Sequence, residues 1–440
     1  MDIQHLDIRE SPTRLNILRS SARCDALGGS MLYAGYEMSR WAAQPVLSTS
    51  GAMARTLRGL PLSLRDKPVI RQAWAASELV SSMHATYDMP SFGIDSVWVD
   101  AEQYAVTERT TSFSPFAQRI HFRKSVELHQ PRVLVVGPLS GHYATLIRPT
   151  VRSLLSDFDV HVLSWNNARD VPIEKGGFGL EDYIAHVMLE LRELGPDTHV
   201  LAVCQPAAPV LAAVSLLAQA DDVAQPPSMT LIAGPIDTRI NPNRVNEFAM
   251  NNPYHYFEKY LIHPVPGSYP GAGRRVYPGF LQLGAFMSMN TRRHVTKHIE
   301  LYRAMVGGRT SEAETIRSFY DEYGAIMDVY AEFYLDTVDQ IFQRHLLPKG
   351  QMFWRGERVD PRAIRRTALM TIEGEADDIC SPGQNRAAHD LCTNIPSHMR
   401  AEHLQPGVGH YGVFSGSRWE AEIYPRVRDF INTHSLASVK

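Results

Sequence analysis

Cysteine is scarce in this chain. Four occur in 440 residues, at positions 24, 204, 380 and 392, with no CxxC pair among them. Small secreted scaffolds carry dense, regularly spaced cysteines, so that class is excluded and a reducing compartment is expected. No run of about 18 apolar residues occurs, so no membrane-crossing helix is expected. The opening stretch MDIQHLDIRESPTRLNILRSS is dotted with charge and lacks the apolar centre of a secretory signal. The formal net charge is only −3, which leaves no field to gather nucleic acid or anionic lipid. A large ligand would therefore be held by shape and apolar contact. A soluble, cytoplasmic protein is the expectation.

Chemical signatures are missing too. His294 and His298 have helical i, i+4 spacing, but no HExxH accompanies them, and GGFG at 176–179 lacks the Lys-Ser/Thr of a phosphate loop. No metal or redox cofactor is implied. What the chain does have is a rhythm. RVLVVGPL (132–139), FDVHVLSW (158–165), THVLAVC (198–204), SMTLIAG (228–234) and ALMTIEG (368–374) are apolar runs of strand length, as in strands buried on both faces. Helical patterns at 141–156, 181–194 and 206–219 lie between them. This alternation predicts an α/β fold with a mostly parallel sheet covered by helices.

The rhythm breaks between 238 and 362, in a stretch rich in Asn, Tyr, Phe, Met and Pro that ends in one long aromatic helical pattern at 319–345. We read 238–362 as a largely helical lid insertion without buried strands. The core is then 91–237 and 363–440, preceded by a helical region at 31–90. Residues 1–30 are polar and weakly patterned, and Met31 is itself a plausible start, so they are read as an extension.

In open α/β sheets, reactive groups gather at the carboxyl ends of strands. Cys204 sits there, in LAVCQPAAPVLAAVSLL, where a strand gives way at once to a small-residue helix with Pro206 suited to its first turn. That is the shape of a nucleophile elbow, and a helix N-terminus favours a thiolate. The usual GxSxG is replaced by Val-Cys-Gln-Pro-Ala, so local sequence alone reads equally as a small buried cysteine. Asp377 follows the ALMTIEG strand at the distance expected of a triad acid, with Asp378 beside it as the alternative. Cys380 nearby reads as packing. His410, in the glycine-rich LQPGVGHYGVF, completes the order nucleophile, acid, base. An oxyanion would need two backbone N–H groups. One is assigned to Gln205, the other to Leu139 or Ser140 in the GPLSGHY loop, with His142 a neighbour of that loop.

From about Met31 to the end the chain resembles the intracellular polyhydroxyalkanoate depolymerase family. The likeness rests on long segments: MLYAGYEMSRW, VLVVGPLSGHYATLIRPTV, AVCQPAAPVLAAVSLL, AGPIDTRINPNRVN, YPGFLQLGAFMSMN, FYDEYGAIMDVYAEFYLDTVDQIFQRHLLPKG and EHLQPGVGHYGVFSGSRW. The resemblance implies an α/β-hydrolase fold and a cysteine nucleophile in a glycine-poor box, matching Cys204, with acid and base at Asp377 and His410. It also implies a substrate, amorphous granules of a polyester such as poly(3-hydroxybutyrate). The acyl acceptor would be water or the thiol of coenzyme A. Two alternatives remain: a synthase-like acyltransferase, whose cysteine box normally has flanking glycines, and a non-catalytic granule protein. A homodimer through the lid or the N-terminal helices is compatible with the sequence, which does not demand one.

Overall fold

A computed structural model of the protein describes residues 26–435 apart from 84, 113 and 290. Nine strands form one sheet: β1 (Ser96–Val99), β2 (Glu102–Ser112), β3 (Ala117–Lys124), β4 (Arg132–Val136), β5 (Asp159–Trp165), β6 (Thr198–Val203), β7 (Ser228–Ile232), β8 (Ala368–Gly374) and β9 (Arg400–Gln405), in the order β1-β2-β3-β5-β4-β6-β7-β8-β9. From β5 to β9 every pairing is parallel; β1 to β3 add an antiparallel edge that pairs onto β5. β6, β7 and β8 are buried at every residue, in keeping with their largely apolar sequences. This is the α/β-hydrolase architecture.

Helices cover both faces. On one side, α4 (Leu180–Leu194) and α5 (Ala207–Gln219) pack on Leu134, Val136 and Leu163; α5 is so apolar that everything from Ala207 to Leu217 is buried. On the other, α3 (Arg148–Leu155) and the C-terminal helix Tyr424–Thr433 pack on Val133, Val135 and Val160. Two N-terminal helices, α1 (Ala26–Arg58) and α2 (Pro68–Ser82), pair with each other. Helix α1 starts at Ala26 and runs through Gly28 and Gly29, inside the segment read as an extension; residues 1–25 lie outside the described residues.

The insertion between β7 and β8 carries helices α6 (Gly279–Met289), α7 (Thr291–Val306) and α8 (Thr310–Gly324). Two expectations about it are corrected. The single aromatic helix at 319–345 is broken: α8 ends at Gly324, Val329 and Tyr330 form a short strand, and a new helix starts at Ala331. Strands are present as well. Val329–Tyr330, Arg275–Tyr277 and His263–Pro264 make a small antiparallel sheet, with Val276, Val329 and Tyr330 buried.

The break has a cause in Asp328, which is fully buried. Its carboxylate accepts hydrogen bonds from Tyr33 Oη (2.6 Å) on α1 and from the Gly279 N–H (2.8 Å) that opens α6. Its own N–H donates to Asn167 Oδ1 (3.0 Å), just past β5. One side chain thus joins the N-terminal helices, the insertion and the sheet. Satisfying those donors while buried is incompatible with a continuous helix carrying Asp328 on its surface.

Candidate active site

Strand β6 delivers Cys204 into a left-handed backbone conformation, φ +67°. A non-glycine residue held there is strained, and such strain is characteristic of an elbow that lifts its side chain clear of the turn. The elbow is pinned at both ends. Cys204 N–H donates to Ile232 O of β7 (2.7 Å), and Cys204 O accepts from Ala207 N–H (3.1 Å) as α5 begins. Pro206 is the N-cap of that helix, so its missing N–H costs nothing. The chain can turn this tightly because Gly234 follows β7: a Cβ there would lie 2.0 Å from Ala207 Cβ and 3.1 Å from Cys204 O. Glycine is thus required by close approach of two elements, a role the GxSxG glycines fill in other elbows.

Asp377 lies beyond β8 with its side chain fully buried. Its Oδ1 accepts the N–H groups of Ile379 and Cys380, both at 2.9 Å, and its Oδ2 faces His410 Nδ1 at 2.7 Å. Asp378 is exposed, so of the two adjacent acids Asp377 is the one turned to the imidazole. Cys380 contributes its backbone amide to this arrangement; its thiol is buried and pushed well up by burial. The two supporting loops are tied together, with Ala376 N–H donating to Val408 O (3.0 Å).

His410 is buried. Burial opposes the imidazolium, yet the Cys204 sulfur, then the Asp377 carboxylate, and hydrogen bonds to both hold the ring well above its usual value. His410 is thus coupled electrostatically to the Cys204 sulfur and bonded through Nδ1 to the Asp377 carboxylate at 2.7 Å.

The loop after β4 is fixed at its start, where Gly137 O accepts from Trp165 Nε1 (2.7 Å) and Tyr183 Oη (2.9 Å). Of the two expected donors in this loop, the Leu139 N–H is engaged: it donates to Oε1 of Gln205 (3.2 Å). A substrate oxygen using that amide has to displace the Gln205 side chain, whose buried Nε2 has no partner. Sequence reasoning placed Gln205 here for its backbone and missed its side chain. His142 is buried against Phe286 and Tyr323 and bonded to Tyr323 O (3.2 Å); burial pushes it down to about 4, so it is a neutral packing residue between the loop and α8.

Tyr411 was also missed. It follows His410 directly, and its ring meets Phe319 and Tyr323 of α8. The only signal for it in the sequence is adjacency to His410.

Among the described residues, one group could share a cation: His121, Asp159 and His161, at the amino end of β5 and thus the opposite end of the sheet from Cys204. Arg132 Nε stands 3.5 Å from the same Asp159 carboxylate. His294 and His298 do not converge; His294 bonds Tyr320 Oη (3.0 Å) and His298 bonds the His294 carbonyl (2.8 Å). No helix of the described residues is long and apolar enough to cross a membrane.

Known proteins resemble parts of this chain. Residues 233–435 match the family model described as PHB de-polymerase C-terminus, a span that holds Asp377 and His410 and begins downstream of Cys204. The chain is 24% identical over 156 residues to the poly(3-hydroxyalkanoate) polymerase subunit PhaC of Haloferax mediterranei, a match covering 36% of this chain and 30% of that one. It thus spans under a third of the length of that curated relative. Among solved structures, naproxen esterase from Bacillus subtilis aligns at 12% identity with a TM-score of 0.42, covering 83% of this chain and 99% of that one. The monoacylglycerol lipase of Paleococcus ferrophilus aligns at 11% with a TM-score of 0.39, covering 75% and 99%. The chain thus resembles the PHB de-polymerase C-terminus family over residues 233–435, on a sheet of α/β-hydrolase topology.

Proposed function

We propose that the protein cleaves ester bonds of polyhydroxyalkanoate, of the poly(3-hydroxybutyrate) type, through a cysteine acyl-enzyme. The observation that carries this reading is the triad: Cys204 on a strained elbow at a helix N-terminus, with a buried His410–Asp377 pair at 2.7 Å. The Cys204 sulfur attacks the ester carbonyl, and His410 carries the thiol proton. The Gln205 N–H, with that of Leu139 or Ser140, receives the tetrahedral oxygen once the Gln205 side chain has moved. Collapse expels the alcohol end of the chain, protonated by His410. Water activated by His410 then attacks the thioester and releases the acid. The thiol of coenzyme A is an alternative acceptor at that last step. The reading places the protein in the cytoplasm at the surface of polyester granules, where exposed Phe248, Met250 and Tyr260 of the insertion would meet the polymer.

The test is clearing of amorphous poly(3-hydroxybutyrate) granules with release of 3-hydroxybutyrate, comparing wild type with Cys204→Ala. Clearing by wild type alone supports the reading. Equal clearing by both removes Cys204 from the mechanism. The similarity to a polymerase subunit favours a second reading, a synthase-like acyltransferase. Incubation with 3-hydroxybutyryl-CoA separates them, because a synthase liberates CoA and makes polymer.

A further inference from the structure

A cavity of about 800 Å³ opens between α2, α6, α7 and α8, and the mechanism above does not use it. Its wall is largely apolar, with Leu79, Leu283, Met287 and Ile299 prominent, and the polar groups among them are hydroxyls and the imidazoles of His294 and His298. Among the described residues, no Asp, Glu, Lys or Arg lines it. Such a wall desolvates a neutral chain at little cost and penalises a carboxylate, a phosphate or an ammonium.

The cavity is tied to the catalytic triad through one residue. Tyr323 is part of its wall, and the same ring packs against Tyr411, with ring centroids 6.3 Å apart. Tyr411 in turn follows His410 and sits edge-on to the imidazole, with ring centroids 5.8 Å apart. Tyr323 and Tyr411 thus form a line of ring contacts from the cavity wall to the imidazole of His410.

We propose that this cavity holds the uncharged run of ester units on one side of the scissile bond, so that the enzyme grips a linear hydroxyalkanoate oligoester, with Tyr323 and Tyr411 forming the wall the chain passes to reach Cys204. This rests on the polyester-cleaving function proposed above. It predicts that kcat/KM rises with the number of ester units until the cavity is full.

Gly284 offers a direct test. It lies on α6 in the cavity wall, and a Cβ added to it meets nothing within 4 Å. Gly284→Leu therefore fills space in the cavity, and it replaces a poor helix former with a good one. Ser288→Leu, one turn along, is the second variant; its hydroxyl bonds only the helix carbonyl of Ala285. The measurement is kcat/KM on uncharged, end-capped 3-hydroxybutyrate oligomers from dimer to hexamer, read as the hexamer-to-dimer ratio, with thermal melting to confirm folding. The ratio should fall about ten-fold in each variant, the scale for a few methylenes of pocket volume. An unchanged ratio in both folded variants overturns the proposal. Wild type that cleaves all lengths equally also overturns it and leaves the polyester reading standing. Wild type that clears granules but cleaves no soluble oligomer overturns the proposal alone, and wild type that does neither overturns both.

Discussion

Gly234 carries no reactive group, yet the packing predicts that Gly234→Ala disables the protein. The added methyl would sit 2.0 Å from Ala207 Cβ, where carbon atoms normally approach to about 3.5–4.0 Å. A gap of about 1.5 Å or more must open between the end of β7 and the first turn of α5. Helix α5 cannot retreat, since its residues from Ala207 to Leu217 are buried on all sides. Overpacking of this kind costs about 1–3 kcal/mol. Catalysis should suffer more than stability, because Ala207 N–H holds Cys204 O at 3.1 Å and the elbow must move with the helix. A nucleophile misplaced by about 1 Å costs about a hundred-fold in rate. Urea unfolding and kcat/KM on a soluble 3-hydroxybutyrate oligoester would measure the two effects. The decisive variant is Ala207→Gly combined with Gly234→Ala, which removes the methyl that the new one strikes. Recovery of most of the lost activity is expected, with a favourable coupling of about 1–3 kcal/mol in the double-mutant cycle. Gly234→Ala with wild-type activity, or no recovery in the double variant, would refute the reasoning.

Three further outcomes are expected. Asp377→Asn keeps the shape but presents an amide to His410 Nδ1 in place of a carboxylate, so kcat should fall by about 10³–10⁴; Asp378→Asn should match wild type, and a reversal of these two effects would move the acid to Asp378. Gln205→Ala removes the acceptor now occupying the Leu139 amide. If breaking that bond costs about 1 kcal/mol, kcat/KM should rise about five-fold, and a fall would show that the side chain assists rather than competes. Asp328 is held up at about 6 by burial, against an ordinary 3.8. The folded state thus binds a proton more tightly than the unfolded one, and this contribution to stability is full below about pH 4 and lost as pH rises to about 6. Over that window wild type should lose roughly 3 kcal/mol relative to Asp328→Asn in urea melts; a difference that does not vary with pH would contradict the burial argument.

Some of this protein is written locally in the chain. Five largely apolar runs predicted the parallel strands β4 to β8, because a strand buried on both faces carries few polar side chains and no regular polar alternation. The order Cys204, Asp377, His410 is equally local, each residue lying just after a strand. The antiparallel edge gives a weaker local signal, since AQRIHFRK of β3 alternates too irregularly to stand out. Within the insertion the pattern misled, since YDEYGAIMDVYAEF has helical periodicity across the very point where Asp328 breaks the helix.

The choice between Asp377 and Asp378 could not be made from neighbouring identical side chains. The amides of Ile379 and Cys380 turn the Asp377 carboxylate inward, where it meets His410. Likewise nothing in Cys-Gln-Pro distinguishes an elbow from a buried strand end. That distinction rests on φ +67° and on a glycine thirty residues downstream that lets two elements touch. Periodicity and residue type determined which segments become strands and helices and which residue types could react. Which of those residues meet, and what occupies the amide beside them, depends on contacts between distant segments, and only the tertiary structure decided it.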